Sequence, residues 1–151
     1  MVLDTHVALE GLLFMQPSVA PLMQALQRGD LAWIGTQSMR LEFERILTHA
    51  KLARYKPECE RILTEFDRRI CLHAEPASDP VLRCRDRDDQ IFLDLALQHR
   101  APWLLTRDRD LLSLARRAAR RGLAIAPPEA FPVPWGRGPA ESAQDRAMQP
   151  V

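Results

Sequence analysis

Apolar positions along this chain follow two patterns that alternate from one end to the other. Short apolar runs predict buried strands, and stretches in which apolar residues return every three or four positions predict helices. Strands are expected at residues 2–3, 31–34, 69–72, 103–105 and 123–126. Helices are expected at about residues 7–14, 19–28, 37–50, 88–99 and 108–121, with one more beginning at Pro57 and a short turn at 128–131.

Strands that alternate with helices predict an α/β fold, in which a mostly parallel central sheet carries helices on both faces. Ligands of such sheets bind outside the carboxyl ends of the strands, so residues that directly follow a strand are the first site candidates. After Phe131 the sequence becomes rich in proline, glycine, alanine and small polar residues. We therefore expect one domain over residues 1–131 and a C-terminal tail, residues 132–151, that is disordered or loosely attached.

Composition narrows the class of protein without naming a function. The 151 residues suit one domain, and the net charge of +1 indicates no particular partner. The three cysteines, Cys59, Cys71 and Cys84, are odd in number and widely spaced, which argues against a disulfide framework or a zinc site. No apolar run approaches the roughly 18–20 residues that cross a bilayer, and no secretory pattern opens the chain, so we expect a cytoplasmic protein without a membrane segment.

Two acids follow predicted strands, and two others lie on predicted helices. Asp4 comes directly after the first strand, and Asp108 soon after the fourth. Either could simply cap the helix that follows it. Glu42 and Asp89 each lie beside the apolar side of a helix, where a carboxylate is costly unless it is paired or bound to a cation. Asp94 shares a polar helix face with two glutamines, and we expect it to be solvated.

These four acids, Asp4, Glu42, Asp89 and Asp108, could converge at one end of the sheet. Carboxylates in one pocket repel one another, and a divalent cation supplies the missing positive charge. A set of oxygen ligands without histidine or cysteine favours Mg²⁺ or Mn²⁺ over zinc. Such an ion activates water and neutralises the charge that develops on a phosphodiester.

The ordered motifs resemble those of the PIN domain over residues 1–131. The opening Val-Leu-Asp-Thr-His-Val is similar to the family's strand-end Asp-Thr-Asn, and Leu-Glu-Phe-Glu-Arg-Ile-Leu to its glutamate-bearing helix. Cys-Arg-Asp-Arg-Asp-Asp-Gln-Ile-Phe and Leu-Leu-Thr-Arg-Asp-Arg-Asp-Leu-Leu are similar to its third and fourth acidic segments, and Pro-Pro-Glu-Ala-Phe to its usual ending. His6 stands where the family most often has asparagine, and we expect activity to survive because histidine also donates a hydrogen bond.

The resemblance implies a Mg²⁺- or Mn²⁺-dependent endoribonuclease that leaves 5′-phosphate and 3′-hydroxyl products, of the kind that serves as the toxin of a bacterial toxin–antitoxin pair. The implied metal ligands are Asp4, Glu42, Asp89 and Asp108, and the accessory residues are Thr5, Asp88, Thr106 and Asp110. Asp86 and Asp88 compete with Asp89 for the third ligand position. The expected partners are RNA, an antitoxin that masks the acidic pocket and a second copy of the chain. The expected phosphate contacts are Arg85, Arg107 and Arg109.

Three alternatives remain open. A PIN nuclease could act in RNA processing or turnover without an antitoxin, and a PIN fold could serve as a non-catalytic binding module. A different α/β class with acids at strand ends, such as a phosphatase-like or response-regulator-like domain, would need a phosphoryl-accepting aspartate and a lysine near the site. The chain's lysines are Lys51 and Lys56, and both fall in a helical region.

Overall fold

A computed structural model describes residues 1–132, and within them parallel strands alternate with helices as the sequence predicts. The strands are β1 (Val2–Leu3), β2 (Trp33–Thr36), β3 (Ile70–His73), β4 (Trp103–Leu105) and β5 (Ala124–Ala126). The helices are α1 (Thr5–Leu12), α2 (Ala20–Arg28), α3 (Gln37–Leu47), α4 (Cys59–Arg69), α5 (Gln90–Gln98), α6 (Arg109–Leu112) and α7 (Ala115–Ala119). Two 3-10 helices lie at Ala50–Tyr55 and Pro128–Ala130.

All strand pairs within the described residues are parallel. β4 lies between β1 and β5, and β2 pairs with β3. The two groups meet where the Ile34 N–H donates to the Met1 carbonyl at 2.9 Å and the N-terminal ammonium donates to the Ala32 carbonyl at 2.8 Å. The strands therefore follow the order β3–β2–β1–β4–β5, and the chain reverses its direction of progress across the sheet at β1. A ligand crevice is expected beside such a reversal, at the carboxyl ends of the strands.

Helices cover both faces of the sheet, because successive strand residues pack into different apolar clusters. Leu3 joins one cluster with Trp33 and Phe43, on the side of helices α1 to α4. Its neighbour Val2 joins another cluster with Leu93, on the side of helices α5 to α7. The alternation follows from the two-residue period of a strand, and it confirms the predicted α/β class.

Several predicted boundaries differ from the observed ones. The second strand begins and ends two residues later than expected, because the Thr36 side chain ends it by accepting the Met39 N–H at the start of α3. Pro57 precedes α4 rather than beginning it. The helix expected at residues 108–121 is divided into α6 and α7, and at the break the Ser113 hydroxyl donates to the Asp110 carbonyl at 2.7 Å. Serine competes for backbone carbonyls in this way and weakens a continuous helix.

The expectation that Asp94 is solvated is wrong. Asp94 is only 6% exposed, and one of its carboxylate oxygens accepts from the Asp79 N–H at 2.8 Å and from the Gln90 amide at 2.7 Å. The connection between β3 and α5 folds over the polar face of α5, and the carboxylate is satisfied by hydrogen bonds there instead of by water. This contact fixes the segment that leads into Asp89.

The C-terminal end of the described residues is held by Phe131, whose ring lies edge-on to Trp103 with centroids 5.2 Å apart. The predicted tail, residues 132–151, lies outside the described residues except for Pro132. Over residues 1–132, none of the helices combines the length and the apolar character that crossing a membrane requires.

Candidate active site

Asp4 is buried at the carboxyl end of β1, and both of its carboxylate oxygens are engaged. Its Oδ1 accepts the Val7 N–H at 2.8 Å, which caps α1. Its Oδ2 accepts the Thr106 hydroxyl and the Arg107 N–H, the latter at 3.3 Å. Burial raises the pKa of Asp4, and the hydrogen bonds from Thr106 and Val7 oppose that rise. The residue is thus a helix cap and, at the same time, a carboxylate fixed at the edge where ligands bind.

Thr106 connects Asp4 to the second strand-end acid. It is fully buried at the end of β4, where its hydroxyl donates to Asp4 and accepts the Asp108 N–H at 2.9 Å. Asp108 in turn caps α6, because its Oδ1 accepts the N–H groups of Asp110 at 2.8 Å and Leu111 at 3.0 Å. Both acids therefore cap the helix that follows them, as the sequence allowed. The Thr106 hydroxyl sets their relative position.

The two helical acids are not engaged in this way. Asp89 holds the N-cap position of α5, but its side chain makes no capping hydrogen bond and is half-buried. The pKa of Asp89 is raised to about 6, first by burial and then by the charges of nearby acids. Those acids are Asp108, Asp86, Asp4 and Glu42. The carboxylates that were singled out in the sequence thus share one electrostatic neighbourhood.

Glu42 faces the same neighbourhood from α3. Burial raises the pKa of its half-buried carboxyl group, and the charges of Asp88 and Asp4 add to the rise. Arg45 and His6 oppose it. His6 is exposed and lies at the rim of the site.

The accessory residues divide between the interior and the rim. Thr5 is buried behind Asp4, whereas Asp88 is exposed and Asp110 is half-buried in the first turn of α6. The Asp86 carboxylate is exposed and accepts the Asp88 N–H at 2.9 Å. Of the three acids that compete for the third ligand position, Asp89 is the most buried, and neighbouring acids raise its pKa.

No salt bridge compensates these acids within residues 1–132. The carboxylates of Asp4, Glu42, Asp89 and Asp108 have no arginine, lysine or histidine nitrogen within salt-bridge distance. The acids that do pair with arginine lie elsewhere, and they are Asp30, Glu44, Asp67, Glu58, Glu65, Glu10, Glu129 and Asp79. Uncompensated carboxylates that raise each other's pKa favour a bound cation.

The donor set fits a hard divalent cation, although the acids do not already enclose one. Over the described residues, no three aspartate, glutamate, histidine or cysteine side chains converge closely enough to hold a metal ion. Mg²⁺ typically keeps several water ligands and takes only one or two carboxylates directly. Four oxygen-bearing side chains that interact electrostatically therefore suit Mg²⁺ or Mn²⁺ ligation that is partly through water.

The arginines predicted to contact phosphate differ in their surroundings. Arg107 donates from Nε to Glu10 at 2.5 Å and from Nη1 to Glu129 at 3.0 Å. These carboxylates raise the pKa of Arg107 and occupy its guanidinium, so its expected role as a phosphate contact is not supported by the geometry. Arg85 and Arg109 are exposed, and neither forms a salt bridge in the part of the chain that the structure describes.

Two residues with evident roles were missed in the sequence. Gln90 follows Asp89 and anchors the preceding connection, because its amide accepts the Cys84 N–H at 2.7 Å and donates to the Leu82 carbonyl at 3.1 Å. Arg45 lines a groove together with Glu42. The three-residue spacing of Glu42 and Arg45 on α3 places them on the same helix face, and this signal was available in the sequence.

The protein is an α/β protein with a parallel sheet. At the carboxyl edge of its central strands lie acids that form no salt bridge with any of residues 1–132. The family profile described as PIN domain matches residues 1–110, and the chain belongs to the PIN domain family. No curated protein and no solved structure matches it. The PIN domain is generally a nuclease fold, and its members are typically metal-dependent.

Proposed function

We propose that this protein is a Mg²⁺- or Mn²⁺-dependent endoribonuclease that hydrolyses phosphodiester bonds of RNA. The observation that carries the proposal is the group of four acids, Asp4, Glu42, Asp89 and Asp108, that interact at the carboxyl edge of the sheet and form no salt bridge with any of residues 1–132. Membership of the PIN domain family supports the same reaction class.

Each acid has a distinct structural basis for its proposed role as a metal ligand. Asp4 and Asp108 are held by backbone N–H groups and by Thr106, so their carboxylates are fixed before any ligand arrives. Glu42 and Asp89 approach from α3 and from the start of α5, with carboxylates that no capping bond occupies. The bound ion would activate the attacking water and neutralise charge on the phosphodiester. Hydrolysis would leave 5′-phosphate and 3′-hydroxyl ends.

The proposed cellular role is that of a toxin controlled by a small antitoxin in the cytoplasm, with the toxin acting as a homodimer. An acidic pocket without a salt bridge attracts a basic side chain, which would displace the metal ion and stop the reaction. The test is to express the chain with and without the product of each neighbouring gene. Growth arrest that one neighbour relieves by forming a stable complex would support this role, and harmless expression would indicate RNA processing instead. Sedimentation of the free protein would test the dimer.

The test of the nuclease is cleavage of end-labelled single-stranded RNA by purified protein in Mg²⁺, in Mn²⁺ or in EDTA. We expect cleavage that requires the ion and that Asp108→Asn abolishes. Asparagine caps helices about as well as aspartate does, so this variant keeps its fold while losing a negatively charged ligand. The matched control is Asp30→Asn, which alters an exposed, arginine-paired carboxylate outside the site and should leave cleavage unchanged.

A non-catalytic binding module is the second candidate. It is favoured by the capping bonds that occupy Asp4 and Asp108 and by the lack of three converging ligands over residues 1–132. Titration with Mn²⁺ separates the candidates. A folded protein that neither binds Mn²⁺ nor cleaves RNA in any ion would favour the binding module over the nuclease.

A further inference from the structure

Two open depressions on the surface adjoin at Arg87. One has a volume of about 520 Å³, and its polar lining includes Ser38, Glu42, Arg45, Arg87 and Asp88. The other has a volume of about 580 Å³ and is lined in part by Arg83, Arg85 and Arg87. Arg87 lines both depressions, so they adjoin, and we call them together the arginine groove after Arg45, Arg83, Arg85 and Arg87.

The arginines of this groove are available to a ligand. Arg45, Arg85 and Arg87 form no salt bridge with any residue in the range 1–132, and the Arg83 guanidinium donates to the neutral Ser78 hydroxyl. Arginines that are already held by carboxylates lie elsewhere, among them Arg40, Arg69, Arg107 and Arg121. The groove therefore retains positive charge that other parts of the surface neutralise internally.

The groove runs into the acidic site. Glu42 and Asp88 line its first half beside Arg45 and Arg87. These opposite charges face one space without forming direct pairs. A phosphodiester chain would satisfy both sets, because its phosphates would bind the guanidinium groups while the acids would hold a cation that neutralises charge on one of them.

The lining also indicates how such a ligand would be recognised. Among residues 1–132, no aromatic side chain lines either depression, so this part of the chain offers bases no stacking platform there. Contacts would be made to phosphates, which position a strand without reading its sequence. Binding at the groove should therefore depend steeply on salt and little on base composition.

We propose that the arginine groove is the path of single-stranded RNA across the site, with Arg45 and Arg87 flanking the phosphate nearest the acids and Arg85 and Arg83 binding the next phosphates along the strand. This inference rests on the proposed ribonuclease function. It moves the main phosphate contacts from Arg107, which Glu10 and Glu129 hold, to the groove.

The test is binding of fluorescein-labelled single-stranded RNA, measured by fluorescence anisotropy in EDTA, where no cleavage occurs. The variants are Arg45→Gln, Arg87→Gln and their combination, all at exposed positions where glutamine is tolerated. We expect each single variant to weaken binding at least about fivefold. The negative slope of log K against log salt should become shallower by about 0.7, because one phosphate contact is lost. The matched control, Arg68→Gln, removes the same charge from the exposed surface of α4 and should bind as the unmodified protein does.

Cleavage in Mg²⁺ separates this inference from the proposed function. If the groove positions RNA, the double variant raises KM with little change in kcat, whereas Asp108→Asn lowers kcat. Groove-dependent binding without cleavage by the unmodified protein would uphold the inference and contradict the nuclease. Cleavage with an unchanged KM in the double variant, or no RNA binding by the unmodified protein, would overturn the inference.

Discussion

The Thr106 hydroxyl is a single group on which both strand-end acids depend. It donates to Asp4 and accepts the N–H of Asp108, and the residue is fully buried. Thr106→Val keeps the shape of the side chain but leaves that N–H without its acceptor. We expect the free energy of unfolding to fall by about 1–3 kcal/mol, which is the usual cost of an unsatisfied buried polar group. Urea denaturation measures this change.

The same variant should reduce RNA cleavage at temperatures where it is fully folded, because Asp4 and Asp108 lose their common positioning contact. Thr64→Val is the matched control. Its hydroxyl donates to the Glu60 carbonyl on an exposed helix face, so its loss should change neither stability nor cleavage appreciably. Equal effects of the two substitutions on cleavage would contradict a positioning role for Thr106.

The raised pKa of Asp89 predicts a pH dependence of stability in the absence of metal. The pKa rises from an ordinary 3.8 to about 6 in the folded protein, mainly through burial and then through neighbouring acids. Between these values the folded state binds more protons than the unfolded state, so this carboxyl group lowers stability as pH rises from about 4 to above 6. Asp89→Asn removes the group, and its stability relative to the unmodified protein should increase over the same interval.

Other acids of the protein titrate in this range too, so the quantity to compare is the difference between variant and unmodified protein at each pH. Urea unfolding in EDTA at pH 4 and pH 7 provides it. Asp30→Asn serves as the control, because Asp30 is exposed and paired with Arg28 outside the site. A difference for Asp89→Asn that is constant with pH would show that the pKa of Asp89 is not raised in the folded protein.

At the scale of elements, the sequence predicted the bounds of helices and strands whose end signals lie in neighbouring residues. Strand β4 has the predicted bounds, Trp103–Leu105, because its apolar run ends at residues with clear capping chemistry. The position of Asp94 was mispredicted because helical periodicity describes one helix alone and not the connection that folds over it. The salt bridges of Arg107 could not be foreseen for a related reason, since Glu10 and Glu129 come from distant parts of the chain and meet it only in the folded protein.

The connection that leads into α5 gives an element-scale prediction. The amide of Gln90 bonds to Leu82, Cys84 and Asp94 and so ties this connection to the start of α5, next to Asp89. Gln90→Met keeps the length of the side chain but removes all three bonds. We expect a stability loss of about 1–3 kcal/mol, faster hydrogen exchange over residues 82–89 and weaker Mn²⁺ binding.

Gln98 provides a matched control for that substitution, because it bonds to the same connection from the far end of α5. Its amide oxygen accepts the Ala77 N–H at 2.9 Å in an exposed position. Gln98→Met should therefore have a smaller effect on stability and leave Mn²⁺ affinity unchanged. Unchanged hydrogen exchange over residues 82–89 in Gln90→Met would show that the amide does not hold the connection.

At the scale of the whole molecule, the sequence predicted a group of acids at one edge of the sheet, but it did not predict which strands bring them together. Alternating strands and helices implied a parallel sheet, and acids after strands implied a site at its carboxyl edge. The order β3–β2–β1–β4–β5 could not be predicted, because local patterns do not state which strands are neighbours. That order places β1 beside β4, so that Asp4 and Asp108 meet through Thr106 although they lie more than one hundred positions apart in the chain.

The proposed metal binding should be measurable as an increase in the stability of the whole domain. A ligand that binds only the folded state stabilises it, by about 2.7 kcal/mol when its concentration is one hundred times Kd. We expect Mn²⁺ to raise the Tm of the unmodified protein at pH 7, compared with NaCl of equal ionic strength. Asp108→Asn should lose about half of this increase, because a tenfold weaker affinity removes about 1.4 kcal/mol of it. Asp30→Asn should keep the full increase, and an equal increase in all three proteins would mean that Mn²⁺ acts away from the four acids.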